Sequence, residues 1–318
     1  MSRQKPAQSN YDLWVSSVPV ATVWTNPESP RSIDFPGITN PTNMDTWISQ
    51  LDDKAKLALC EENRIQTQLL YGEQVVITEK VGDWVHIVIP SQPSAKDERG
   101  YPGWIPLCQL KTVKREEWQQ QILVIIRSDK AWLRLVDEPK IKLSYSTILP
   151  VKEYDESEVM VCTPHGIGYL NVHDVELFSR EKGLSRGNGT AILDSVKDFV
   201  GLAYFWGGMS SFGYDCSGLS YTAHKANGYQ IARDAVDQSK GGKEITFSQV
   251  QPGDLLFFAY EEGKGRLHHV GVYYGEGKML HSPQTGKGIE VIQIKSTIYE
   301  KELCAIRRYW CDEGSESI

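Results

Sequence analysis

The sequence predicts an α+β fold in which two small β-barrels precede a larger domain that runs helices first and antiparallel strands after them. Three observations carry this reading. Short β-like stretches punctuated by turn residues fill the first 180 positions. A polar, glycine-rich segment without periodicity, residues 181–190, interrupts them and marks a linker. Beyond it, apolar residues recur first at helical and then at strand spacing. The 318 residues fit this organisation, since domains average about 150 residues.

Residues 1–115 contain β-like runs at 18–24, 74–78, 84–89 and 103–106. One interruption, 44–59, spaces Trp47, Leu51, Ala55 and Leu59 as on a helix, which predicts a helix inserted into the first barrel. Gly82-Asp-Trp84-Val and Gly100-Tyr-Pro-Gly-Trp-Ile105 resemble the late strands of bacterial SH3-like domains. Residues 116–180 repeat the pattern at 122–126, 131–136, 159–162 and 167–170, predicting a second barrel. In the third domain, 191–318, a helix over 191–200 carries Ile192, Val196, Phe199 and Val200 on one stripe, with Thr190 as its N-cap. A second helix runs over 216–226, and strands follow at 254–258, 269–274, 278–281 and 289–292.

Composition narrows the function classes. At 40% hydrophobic and 24% charged, the chain has the make-up of a globular protein that can bury cores. A formal net charge of −7 supplies no positive field to draw it to nucleic acid or anionic lipid. No apolar run approaches the roughly 18 residues that span a bilayer, so no membrane partner is expected. The six cysteines form no C-x-x-C pair, which speaks for reduced thiols rather than a disulfide framework or zinc site and calls for no metal or cofactor. With no apolar stretch after the basic start, the expected location is the cytoplasm; the alternative is a secreted protein whose signal has been removed.

The chemistry concentrates at 203–219. In Phe212-Gly-Tyr-Asp-Cys-Ser-Gly-Leu219, Cys216 sits where loop gives way to helix. Unpaired N–H groups and the dipole there favour a thiolate and predict a lowered thiol pKa. A cysteine nucleophile needs a base that can also protonate a leaving amine, normally histidine. In Leu267-His268-His269-Val-Gly-Val-Tyr-Tyr274, alternation places His269 with Gly271 and Tyr273 on one face and His268 on the other. The bare Gly271 position would admit another backbone, such as the helix bearing Cys216. A three-residue loop at 275–277 would pair Tyr274 with Lys278 and set His281 diagonally across from His269, within reach of an orienting hydrogen bond; a two-residue loop would reverse the face.

Tyr204-Phe-Trp206-Gly-Gly, Asp215-Cys216-Ser217-Gly218, Gln251-Pro-Gly-Asp-Leu255, His269-Val-Gly-Val-Tyr273 and Leu280-His281 together, in order and spacing, resemble the NlpC-type cysteine peptidases over 191–318. The resemblance implies a papain-like catalytic domain acting on bacterial cell-wall peptides, with Cys216 as nucleophile, His269 as base and His281 as orienting residue. It further implies that Tyr204 helps hold the oxyanion and that Trp206, Asp215 and Ser217 line the pocket; strand alternation leaves His268 facing the core side or the rim.

Two SH3-like barrels ahead of such a domain resemble, more narrowly, the γ-D-glutamyl-L-diamino acid endopeptidases of murein peptide recycling. That likeness implies a substrate such as L-Ala-γ-D-Glu-diaminopimelate or its lysine counterpart. The Arg233-Asp234 pair belongs to this resemblance, with Asp234 as a carboxylate for a substrate amine. Glu61 (or Glu62) and Tyr101 of the first barrel are expected to face it and to favour a free N-terminal L-Ala. Two other classes compete: a peptidoglycan-binding adaptor with an inert third domain, which the intact Cys216, His269 and His281 set disfavours, and an acyltransferase on the same scaffold.

Overall fold

The computed structural model describes residues 12–311. Within these, the chain divides into two compact units. One takes in the residues up to Ser91, Arg99–Gly183 and Met209–Phe212; the other takes in Gln92–Glu98, Leu184–Gly208 and the residues from Gly213 on.

The first unit holds two seven-stranded antiparallel sheets. In spatial order the first is Ile65–Leu70, Val20–Trp24, Tyr101–Pro106, Trp84–Ile89, Gln74–Val81, Asp12–Ser16 and Leu110–Lys114. The second is Ile141–Ser144, Lys130–Leu135, Gly166–Asn171, Glu158–Thr163, Ile148–Tyr154, Ile122–Ile126 and Val175–Ser179. Val23, Leu69, Ile87 and Ile105 of the first sheet form one apolar cluster; Val124, Leu133, Val161 and Leu170 of the second belong to another, which also takes in Leu13, Val15 and Val113 of the first.

Strand Ile65–Leu70 was invisible to an alternation test because it buries polar side chains. Gln68, 1% exposed, accepts from the Met209 amide at 3.0 Å and the Ser210 hydroxyl at 3.3 Å, so its burial is satisfied by hydrogen bonds rather than apolar contact. The single helix expected over 44–59 is two helices, Met44–Gln50 and Asp53–Glu61. Asn43 caps the first and Asp52 the second, its carboxylate accepting from the Ala55 amide at 2.7 Å, and this new N-cap at Asp52 stops the periodic stripe from running through.

The second unit contains α1 (Gly189–Asp194), α2 (Cys216–Ala226), α3 (Ala235–Gln238) and α4 (Ile298–Glu302). Its sheet is built from β1 (Lys243–Glu244), β2 (Leu255–Ala259), β3 (Leu267–Gly275), β4 (Lys278–His281), β5 (Glu290–Gln293) and β6 (Leu303–Arg308), in the order β1-β6-β2-β3-β4-β5. Leu256, Phe258, Met279 and Ile306 fill the core on one face, and α2 packs against β3.

The helix expected over 191–200 stops at Asp194. The Ser195 hydroxyl donates to the Ile192 carbonyl at 2.7 Å, competing with the helical ladder, and a short 3₁₀ turn, Lys197–Phe199, follows. Ile192, Val196 and Phe199 are buried as expected, but Val200 is 52% exposed, and the N-cap is Asn188 rather than Thr190. The end of the glycine-rich segment is docked rather than free: a Cβ on Gly189 would stand 1.9 Å from the Pro252 carbonyl oxygen, so only glycine fits.

Strand β6 escaped the sequence reading because it ends in two arginines. Both are held. Arg308 forks onto Asp254 with two bonds of 2.7 Å, and Arg307 donates to the Ser239 carbonyl at 2.7 Å.

Candidate active site

The site is built on the start of α2 and the β3–β4 hairpin. Asp215 is the N-cap of α2: its backbone is extended and its carboxylate accepts from the Gly218 amide at 2.6 Å and the Gly207 amide at 3.0 Å. The buried Arg233 then grips both oxygens, at 3.1 and 2.7 Å, and donates to the Ser217 hydroxyl at 2.8 Å. Asp215 and Ser217 are therefore engaged in fixing the first turn. Cys216, at the first helical position, takes its direction from that turn.

The hairpin decides the histidine faces in a way the sequence reading half anticipated. Tyr273 pairs with Met279 and Val272 with Leu280, the register expected from a three-residue loop. Yet the closing pair is Gly275 with Lys278, so the loop is only Glu276-Gly277, both residues at positive φ. A bulge between Tyr273 and Gly275 adds one residue to β3 and restores the parity that a two-residue loop would have reversed. His269 and His281 consequently share a face, and Nε2 of His269 lies 2.7 Å from Nδ1 of His281. Gly271 is bare for a different reason than expected. A Cβ there would stand 2.9 Å from the Met279 sulfur and 3.3 Å from the His281 Cβ, so the missing side chain admits β4 rather than the helix.

Electrostatics reverse one expectation. Burial pushes the Cys216 thiol up to about 12, and the Asp215 charge adds to the rise; the Val270 and Ser217 amides and Arg233 oppose it without prevailing. Burial likewise holds His269 well below the usual imidazole value, with His281 and His268 adding to the drop, and takes His281 to about 4, with Lys287 contributing. Burial thus opposes the lowering of the thiol pKa that helix position alone predicts, and favours the uncharged form of each group.

His268, on the opposite face, bonds Glu302 at 3.0 Å and stacks on Tyr260 with ring centroids 4.1 Å apart. Tyr204 is buried, bridges to Tyr214 two residues before the nucleophile, and donates its amide to the Lys287 carbonyl. Trp206 is half-buried and precedes Gly207, whose amide meets Asp215. Asp234 carries an ammonium, Lys96 Nζ at 3.3 Å, presented by a segment whose Pro93 carbonyl accepts from the Arg233 amide. Glu61 and Tyr101 belong to the first unit: Glu61 is exposed at the end of its helix, Glu62 beside it pairs with Arg64, and Tyr101 is 1% exposed within the first sheet's core.

Three residues at the site went unread. Tyr299 of α4 packs against both imidazoles, with centroid distances of 5.3 Å to each. Glu290 pairs with His281 across β4–β5 and places Oε1 3.6 Å from its Nε2. In the sequence Arg233 stands out only as the neighbour of Asp234. None stands in a pattern that periodicity would expose; each is brought in by tertiary packing.

The NlpC/P60 family model matches residues 201–308, and the YKFC SH3b2 domain model matches 126–178. A curated protein of Bacillus subtilis (strain 168), named gamma-D-glutamyl-L-lysine dipeptidyl-peptidase, is 46% identical over 91% of this chain and 96% of its own length. One of the same name from Bacillus cereus is 36% identical over 92% of this chain and 89% of its own. The crystal structure of an NlpC/P60 family protein from Bacillus cereus superposes with a TM-score of 0.91 at 34% identity, covering 94% of this chain and 100% of that one. Shared along nearly its whole length, and not in the Cys216 and His269 domain alone, the likeness shows that the chain belongs to the NlpC/P60 family of cysteine peptidases.

Proposed function

We propose that this protein hydrolyses the bond between γ-D-glutamate and the following L-diamino acid, lysine or diaminopimelate, in murein peptides that begin with L-Ala. The observation that carries the chemistry is the 2.7 Å bond between His269 and His281 on the strand pair against which the Cys216 helix packs. The substrate class rests on the curated relatives, whose name describes release of a dipeptide. We therefore read the enzyme as a dipeptidyl-peptidase rather than a general endopeptidase.

The tautomers follow from the bond. To accept the Cys216 proton, His269 must have Nδ1 bare and its own proton on Nε2, which then donates to His281 Nδ1. The His281 proton is left on Nε2, facing Glu290 at 3.6 Å. As the sulfur attacks the γ-carbonyl, His269 takes the thiol proton at Nδ1 and becomes imidazolium; it returns that proton to the departing amine, leaving a thioester on Cys216. Water then attacks the thioester with His269 as base and releases L-Ala-γ-D-Glu. Tyr204 and the Cys216 and Ser217 amides at the start of α2, the Gly218 amide being taken by Asp215, are the donors for the oxyanion.

Asp234 is the carboxylate offered to the free amine, which would displace or share it with Lys96, 3.3 Å away. Six free cysteines fit work inside the cytoplasm on released peptides. The test is mass analysis of L-Ala-γ-D-Glu-L-Lys, its diaminopimelate counterpart and their N-acetyl forms after incubation with the protein. Dipeptide release from the free peptides alone is expected. Equal cleavage of the N-acetyl forms would overturn the amine preference, and no cleavage of any would overturn the function.

A further inference from the structure

His269 must carry a positive charge midway through the reaction, yet its surroundings offer that charge little. From its own strand His268 stands 6.3 Å away between centroids, with its Nε2 on Glu302; from β4 comes His281, with Glu290 and Lys287 behind it; and from α4 comes the Tyr299 phenol, which the charge of Cys216 on α2 also reaches. No carboxylate bonds the His269 ring directly among the described contacts.

What does surround it is aromatic. The Tyr299 ring lies 5.3 Å from the His269 ring at an interplanar angle of 32°, and Phe258, its partner across β2–β3, lies at 6.0 Å and also 32°. Tyr299 meets Phe258 edge-on at 4.9 Å and His281 at 5.3 Å and 86°, so its position is fixed by three rings. A cation within about 6 Å of an aromatic face is stabilised by the ring quadrupole, most strongly when water is excluded.

We propose that Tyr299 is a positioning residue whose ring, packed with Phe258 on one side of His269, stabilises its imidazolium form in the transition state. The inference rests on His269 being the base, as read above. It assigns the effect to the ring and not to the phenol hydroxyl, and it concerns kcat rather than substrate binding. A desolvated cation–π contact corresponds to a change of about tenfold.

The full chain carrying Tyr299→Phe, Tyr299→Leu and Tyr299→Met is assayed on L-Ala-γ-D-Glu-L-Lys from pH 5 to 9, with thermal unfolding as a check on folding. Expected are parent-like activity for Tyr299→Phe, and for Leu and Met a fall of about tenfold in kcat with KM unchanged. The acid limb of kcat/KM moves to lower pH in those two, because a less stabilised imidazolium protonates later. If Leu unfolds the chain, the longer and more adaptable Met carries the same comparison. A Phe variant as slow as Leu would assign the effect to the hydroxyl and overturn the inference; so would full kcat in both apolar variants, or a change in KM alone. Full activity in His269→Ala would instead overturn the underlying assignment of the base.

Discussion

Asp215→Ala tests whether the nucleophile is held by a buried ionic clasp. The Asp215 side chain is 7% exposed and that of Arg233 1%, and the pair is bidentate. Removing the carboxylate strands the guanidinium charge in a dry site, a loss of about 3–5 kcal/mol for a broken buried pair. It also deletes an N-cap, worth about 1 kcal/mol, and the bond to the Gly207 amide. The two contributions overlap, so a destabilisation of about 4 kcal/mol is expected, a large part of the 5–15 kcal/mol that holds most domains folded. Asp215→Leu with Arg233→Met removes both charges and leaves apolar groups of similar size, and it should recover stability relative to Asp215→Ala. It should not recover activity, because the Gly207 and Gly218 amides still lack their acceptor and the first turn of α2 is loosened. Urea unfolding at pH 7 followed by intrinsic fluorescence, with peptide hydrolysis measured in parallel, reads both. A loss under about 1 kcal/mol for Asp215→Ala, or a double variant no more stable than the single one, would refute the clasp.

Cys216→Ala abolishes hydrolysis and leaves the unfolding transition in place, checked by mass analysis of products and by calorimetry. His269→Ala loses roughly 10³-fold or more in kcat, and His281→Ala loses less, because His281 orients the base without taking the substrate's proton; a larger loss at His268 would place the base on the other face of β3. Because burial raises the Cys216 pKa, iodoacetamide alkylation of the resting enzyme keeps accelerating above pH 9, and a plateau near neutrality would show a thiolate instead. Burial lowers His224 to about 4, so the neutral imidazole stabilises the fold above pH 6.5; as pH falls towards 4 the unfolded chain binds a proton the folded one refuses, and about 3 kcal/mol is lost. His224→Gln should flatten that part of the stability profile in urea unfolding from pH 4 to 7. Cell fractionation should recover the protein with cytoplasmic markers.

The sequence by itself determined the local facts of this protein. Helix α2 and strand β4 stand where spacing put them, Cys216 opens its helix because Asp215 is a strong N-cap, and His269 and His281 are recognisable from strand alternation and from the family motifs. Where local rules competed, only tertiary structure chose. The hairpin loop is short, and a bulge after Tyr273 undoes its effect on the faces, an outcome set by the partner strands and not by the loop residues. The thiol pKa is another case: helix position lowers it, but burial, which no single segment reveals, raises it further and wins. Tyr299, Glu290 and Arg233 reach the site from distant segments with no periodic signature, because a contact across a fold depends on where chains meet rather than on spacing along any one of them.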